Sequence, residues 1–336
     1  MSCCSEAARK RVFVTRMLPE EALNLLKSKF EVEVWPEETP PPKSILIEKA
    51  KEVDGLCCLL TDKIDEEVIE AAGEKLKVIS QVAVGYDNID VEAATRRGIY
   101  VTNTPGVLTD TTADFAFALL MATARRIPEA DKYVREGKWK IPWGLMMFLG
   151  QDVWGKTIGI IGLGRIGSAV AKRAKGMNMR VLYYDVYRNE NLEKELGVEY
   201  VDLETLLRES DFVTIHVPLL PSTYHLINEE RLRLMKRNAV LVNTSRGPVV
   251  DEEALYKALK EGWIWAAGLD VWTEEPTDPE NPLLKLDNVV ATPHIASASI
   301  ETRTKMALMA VENIIAALEG RTPPNLVNKE VITRKS

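Results

Sequence analysis

His216, His225 and His294 are the three histidines of the chain, so the search for a group that exchanges protons near neutral pH is short. His294 stands in Thr-Pro-His-Ile-Ala-Ser, where a strand-like run meets a helix-like one, a setting that holds a catalytic group from both sides. Two other strand-end segments carry complementary chemistry. Asn243-Thr244-Ser245-Arg246-Gly247 offers a guanidinium, which grips a carboxylate through two parallel hydrogen bonds as a lysine cannot. Asp270-Val-Trp-Thr-Glu274-Glu275-Pro276 offers carboxylates. A carboxylate bonded to one imidazole nitrogen fixes the tautomer and favours the protonated ring. Any single Arg or Glu in a loop is usually a solvated charge. Three such groups after successive strands of one domain point to proton delivery onto a carbonyl whose substrate is anionic. His225, in Ser-Thr-Tyr-His-Leu-Ile-Asn, reads as a surface-loop residue. His216 ends a strand beside Pro218, a position that faces the cofactor crevice of a doubly wound sheet.

Upstream lies Gly162-Leu163-Gly164-Arg165-Ile166-Gly167, preceded by an apolar run and followed by a helix-like one. The string alone is weak evidence, but strand, tight turn and helix N-terminus are what a dinucleotide needs. Gly162 permits the turn, Gly164 lets the backbone approach a pyrophosphate, and Gly167 permits close helix–strand packing. Asp185 follows Gly167 by 18 residues and closes the next strand. A carboxylate there accepts hydrogen bonds from ribose hydroxyls and repels a 2′-phosphate, which favours NAD(H) and leaves NADP(H) as the second cofactor. Arg188 nearby softens that preference.

These residues need elements to hold them, and strand-like and helix-like runs alternate through the chain, as in α/β layers around parallel sheets. Apolar runs at residues 12–15, 32–35, 56–60, 78–82 and 100–102 form a first series. Runs at 157–162, 181–185, 212–217, 240–244, 266–271 and 289–292 form a second. Residues 109–125 are apolar on nearly every side, which predicts a helix buried by a second domain or subunit and joining the two series. A long helix over 299–318 leaves too little chain after it for another domain, so it returns to the first series. The expected fold is two Rossmann-like or flavodoxin-like α/β domains with mainly parallel sheets. The NAD(P)-binding domain, residues 106–299, is inserted into a discontinuous substrate domain, residues 1–105 plus 300–336.

The 336 residues include 43 Lys and Arg against 50 Asp and Glu, a net charge of -7 that argues against nucleic acid or an anionic membrane as partner. No apolar run reaches the ~20 residues of a membrane span, and the polar start has no secretory pattern, so the cytoplasm is expected. The cysteines come as adjacent pairs, Cys3-Cys4 and Cys57-Cys58, without the spacing of a zinc or redox site, and no metal is expected. Cys57 and Cys58 read as small hydrophobes of a buried strand.

Residues 162–167, 243–251, 268–276 and 292–299 resemble the signatures of the D-isomer-specific 2-hydroxyacid dehydrogenases. The likeness extends to Val82-Ala-Val84-Gly85-Tyr-Asp-Asn-Ile-Asp90 and to residues 100–105, and so covers nearly the whole chain. Within the family it is similar to the archaeal glyoxylate (hydroxypyruvate) reductases. The resemblance implies reduction of short 2-oxo acids to 2-hydroxy acids. Arg246 would bind the substrate carboxylate and carbonyl, His294 would give the proton with Glu275 bonded to it, and the nicotinamide C4 would give the hydride. Backbone N–H groups at Val84 and Gly85 would hold the carboxylate. Asp270 would contact the nicotinamide amide; residues 163–166, Asp185, Thr244, Ser245, Arg246, His294 and Ala296 would line the rest of the cofactor. A homodimer is implied, with the 109–125 helix contributing. Ala296 stands where most relatives have Gly, and the loop 139–148, with Trp143, Met146, Met147 and Phe148, lies where the reductases place an aromatic facing the neighbouring subunit. A D-3-phosphoglycerate dehydrogenase and an NAD-sensing corepressor share these residues; the former usually carries a C-terminal regulatory extension and the latter partner-binding extensions.

Overall fold

The computed structural model describes residues 9–335. Cys3 and Cys4 lie outside the described residues. The chain divides into two compact units, residues 1–108 with 299–336 and residues 109–298.

The first unit alternates strand and helix: β1 (Arg11–Val14), α1 (Glu20–Lys29), β2 (Glu31–Val34), α2 (Lys43–Glu52), β3 (Gly55–Cys58), α3 (Glu66–Ala71), β4 (Val78–Gln81), α4 (Val91–Arg96) and β5 (Tyr100–Thr102). The helices start where local chemistry directs. Asp65 and Asp90 each accept the backbone N–H three residues on, satisfying a donor that the first turn leaves open. The strands form one parallel sheet in the order β2-β1-β3-β4-β5. β3 and β4 are buried along their whole length, as strands covered on both faces must be. Cys57 and Cys58 are buried free thiols in β3.

The second unit opens with α5 (Thr109–Ala124) and α6 (Ile127–Arg135), then continues β6 (Thr157–Ile161), α7 (Arg165–Gly176), β7 (Arg180–Tyr184), α8 (Glu190–Leu196), β8 (Glu199–Tyr200), α9 (Leu203–Glu209), β9 (Phe212–Ile215), α10 (Glu229–Leu234), β10 (Val240–Asn243), α11 (Glu252–Lys260), β11 (Ala266–Leu269) and β12 (Val289–Ala291). All seven strands are parallel, ordered β12-β11-β10-β9-β6-β7-β8. The order reverses between β6 and β9, and in such sheets ligands bind beyond the carboxyl ends of the strands at that reversal. α5 lies directly on its own sheet: a methyl at Gly268 would come 2.8 Å from Leu119 Cγ. Its all-round apolar character is thus explained in part, with one side covered by β11 and Phe115, Phe117 and Met121 only partly buried. The chain returns to the first unit with α12 (Ile300–Leu318), capped by the Ser299 hydroxyl, and α13 (Glu330–Lys335). Among the described residues no helix is long and apolar enough to cross a membrane.

Several strands end a residue or two before the apolar runs do: β9 stops at Ile215, not Val217, and β11 at Leu269, not Val271. The apolar residues past each end leave the ladder to build the loops described next.

Candidate active site

At the reversal point the backbone is crowded on one side and open on the other. Gly162 has φ 93°, and a Cβ there would stand 2.8 Å from the His216 carbonyl oxygen. A Cβ on Gly167 would fall 2.0 Å from the Gly162 carbonyl oxygen, so this helix–strand approach admits only glycine. Gly164, by contrast, has nothing within 4 Å of a Cβ and is exposed. Beside it α7 begins, with first-turn N–H groups that no helical carbonyl can take, an anion-binding arrangement. Asp185 accepts from Leu163 N–H at 2.8 Å and from Val186 N–H at 2.7 Å, which ties the glycine turn to the end of β7. Each carboxylate oxygen keeps a further lone pair for a hydroxyl. His216 is half-buried, its Nε2 is 2.9 Å from the Thr214 hydroxyl, and burial pushes the imidazole down to about 3, so it is neutral at working pH. The Thr244 hydroxyl is buried without a hydrogen-bond partner. An orphaned buried hydroxyl facing a strand-end crevice, an open glycine and an anion-ready helix start together suit a bound dinucleotide.

The candidate acid–base groups sit on the other half of the sheet. His294 Nδ1 lies 2.6 Å from Glu275 Oε2. Glu275 is aimed by the Trp272 N–H, 3.0 Å from its other oxygen. Burial pushes the Glu275 carboxyl up, but the His294 hydrogen bond and charge, the Trp272 N–H and the Arg246 charge together hold it below the usual carboxylate range. His294 has φ 54°, a left-handed conformation that costs a residue with a Cβ roughly 1 kcal/mol or more. Asp270, fully buried, offsets that cost. Its Oδ1 accepts from the Thr292 hydroxyl at 2.7 Å and Ile295 N–H at 2.9 Å, its Oδ2 from Ala296 N–H at 2.8 Å, and its carbonyl from His294 N–H at 2.8 Å. Ala296 is buried and its φ is not positive, so its methyl sits without backbone strain.

Arg246 follows β10, half-buried, with Nη1 on the Ser245 carbonyl at 2.8 Å. Asn243 closes the same turn, donating to the Arg246 carbonyl at 2.8 Å and accepting from Ser245 N–H at 3.0 Å. Behind it Gly247 packs so tightly that a Cβ would lie 2.0 Å from the Trp272 carbonyl carbon. The loop carrying Arg246 and the loop carrying Glu275 are therefore in backbone contact.

In the first unit, Val84 and Gly85 follow β4. The Asn103 side chain donates to the Val84 carbonyl at 2.8 Å and Gln81 to the Gly85 carbonyl at 3.2 Å. Asn88 braces the turn through the Leu59 and Asp62 carbonyls, at 3.0 and 2.8 Å. Among the described residues no cluster of His, Cys, Asp and Glu could hold a metal.

Residues 117–296 match the profile described as D-isomer specific 2-hydroxyacid dehydrogenase, NAD binding domain. The chain belongs to that family. It is 65% identical to the glyoxylate reductase of Korarchaeum cryptofilum over 96% of this chain and 97% of that one. It is 59% identical to the glyoxylate reductase of Pyrococcus horikoshii, over 96% and 97%. Among solved structures it resembles the TT0316 protein of Thermus thermophilus, with a TM-score of 0.89 and 49% identity over 94% of this chain and 99% of that one. The NADPH-dependent glyoxylate/hydroxypyruvate reductase of Sinorhizobium meliloti, in complex with NADP and malonate, aligns with a TM-score of 0.82 and 33% identity over 96% and 98%.

As a 2-hydroxyacid dehydrogenase, the chain carries its candidate acid–base pair, its guanidinium and its glycine turn on one sheet, after β12, β11, β10 and β6. Sequence reasoning gave no role to Trp272, Asn243, Thr292 or Gly247. Trp272 acts through a backbone N–H, which leaves no side-chain signal. Gly247 acts through a close approach between segments that are 25 residues apart in the chain.

Proposed function

We propose that this dehydrogenase reduces glyoxylate, and hydroxypyruvate-type short 2-oxo acids, to 2-hydroxy acids with NADH, NADPH being the second cofactor. The observation that carries the reading is the 2.6 Å Glu275–His294 pair, on a loop anchored by a buried aspartate, in a chain so like glyoxylate reductases throughout its length. When bound, the nicotinamide supplies the hydride at C4. Gly162 to Gly167 hold the pyrophosphate on the α7 N-terminus, Asp185 takes the ribose hydroxyls, and His216 borders the adenosine half as a neutral group. Thr244 and Ser245, the orphaned Thr244 hydroxyl above all, and the backbone at Ala296 line the nicotinamide side. Asp270 serves mainly to hold the His294 loop, with a lone pair of Oδ2 left for the carboxamide.

With Nδ1 committed to Glu275, His294 presents Nε2 to the substrate and donates the proton that the nascent alkoxide takes up; Glu275 stabilises the charged ring beforehand and orients it. Arg246 grips the carboxylate and polarises the carbonyl. Exposed Ile127, Val134, Trp139, Ile141, Trp143, Leu145, Met146 and Leu149, all within 23 residues, support a homodimer whose interface covers them. Sedimentation equilibrium at micromolar protein tests that reading: a mass of one chain contradicts it. We place the enzyme in the cytoplasm. The function itself is tested by kcat/KM for glyoxylate, hydroxypyruvate, pyruvate and 2-oxoglutarate with each cofactor. Fastest NADH oxidation with one of the first two is expected; no turnover with any of the four contradicts the proposal.

A further inference from the structure

One cation at the nucleotide end, read from the sequence as softening the preference for NAD(H), is held by a carboxylate. Arg188, the only cationic residue of the loop from Asp185 to Asn189, is bonded to Glu193. Its Nε and Nη2 lie 2.8 and 2.9 Å from the two carboxylate oxygens, a two-point grip. Glu193 is held in turn: the hydroxyl of buried Tyr183 donates to it at 2.7 Å and itself accepts the Asn189 N–H at 2.9 Å. The Glu193 side chain keeps 15% exposure against 56% for Arg188, so the carboxylate is the fixed partner and the guanidinium the one restrained. Arg188 and the Tyr183 hydroxyl hold the Glu193 carboxyl down to about 2, and the grip is fully charged at any working pH. The guanidinium is 5.8 Å from the Tyr200 ring centroid, and the Tyr200 hydroxyl reaches the Asp185 carbonyl at 3.4 Å. Arg188, three residues after Asp185, is thus held beside Tyr200, whose hydroxyl reaches the strand end where an adenosine ribose would lie.

We infer that Glu193 sets cofactor selectivity by withholding Arg188 from the 2′-phosphate of NADP(H). The inference rests on the reading that Asp185 borders the ribose. Selectivity then has two parts: Asp185 repels the phosphate, and Glu193 removes the cation that would attract it. A pair that merely fastened α8 would stabilise the helix and leave the ratio of cofactors alone.

Glu193→Gln keeps an acceptor for Tyr183 and removes the charge. Steady-state kinetics with glyoxylate and each cofactor, plus NADPH binding by fluorescence quenching, read the result with and without turnover. About fivefold higher kcat/KM and tighter binding are expected for NADPH, with NADH values unchanged within about twofold. Combining it with Asp185→Ser should exceed the product of the two single effects, and Arg188→Ala added to Glu193→Gln should take the gain away. Unchanged NADPH binding and kinetics in both backgrounds overturn the inference, as does a gain that survives loss of Arg188. A shift with Asp185→Ser but none with Glu193→Gln sinks this inference and spares the ribose reading; the opposite pattern supports Arg188's restraint and removes Asp185 from discrimination.

Discussion

The two halves of the seven-stranded sheet are built to different tolerances. Beyond β10, β11 and β12 the loops are locked by buried groups: Asp270 spans three acceptor contacts to the His294 loop, and Gly247 abuts the Trp272 backbone. Beyond β6 and β7 the glycine turn is open at Gly164, and the Arg188 guanidinium lies at the surface. The difference fits what each half is proposed to do. Proton and hydride transfer lose large factors for displacements near 1 Å, so the reacting half needs rigidity. Nucleotide binding sums many weaker contacts and accommodates adjustment.

That contrast can be broken most severely with alanine at two glycines. Gly247→Ala forces apart the loops bearing Arg246 and Glu275 and is expected to cost roughly 3 kcal/mol or more in stability and at least ~100-fold in kcat, measured by thermal unfolding and turnover. Gly164→Ala meets no neighbouring atom and should leave Tm within a few degrees while raising the cofactor KM by about tenfold. Equal kcat losses in the two variants would erase the distinction.

A second comparison sharpens it. Asp270→Asn puts an amide donor or loses an acceptor against the N–H groups of Ile295 and Ala296, so a loss of ~2–3 kcal/mol and of about 10- to 100-fold in kcat is expected. Asp185→Ser on the nucleotide side should change the NADPH to NADH ratio of kcat/KM by about tenfold with little change in kcat. A kcat collapse in the second variant would show that the nucleotide half is as exacting as the other.

The last effect expected is in acid. His216 has a folded-state value near 3 against an ordinary 6.5, so the unfolded chain binds the proton more readily. Its contribution to stability is complete above pH 6.5 and falls as the pH drops toward 3, by at most ~1.4 kcal/mol per pH unit. Replacing His216 by Gln should flatten the fall of Tm between pH 6.5 and 4.5 relative to the parent. An identical slope would mean the imidazole is already solvated.

Much of this was legible from residue types. The apolar runs marked the strands because parallel strands are buried on both faces, and the length of the amphipathic run marked α12. The Gly162–Gly167 turn and Asp185 carried their own spacing, and the Glu275 and His294 segments their own resemblance. What was not legible depends on approach in space. The Trp272 N–H aimed at Glu275, the orphaned Thr244 hydroxyl and the Asp270 clamp on a left-handed His294 have no pattern in the chain. The helices α8, α9 and α10 are seven residues or fewer, too short for a clear period. Residues 127–135 carried no assigned element, and there proline in the first turn starts α6.

The most direct test is turnover of glyoxylate with NADH by His294→Ala, alongside NADH binding by fluorescence. A fall in kcat of about 10²- to 10⁴-fold with NADH affinity retained is the expected result. Near-parental turnover would remove His294 from proton delivery and with it the central role of the Glu275–His294 pair.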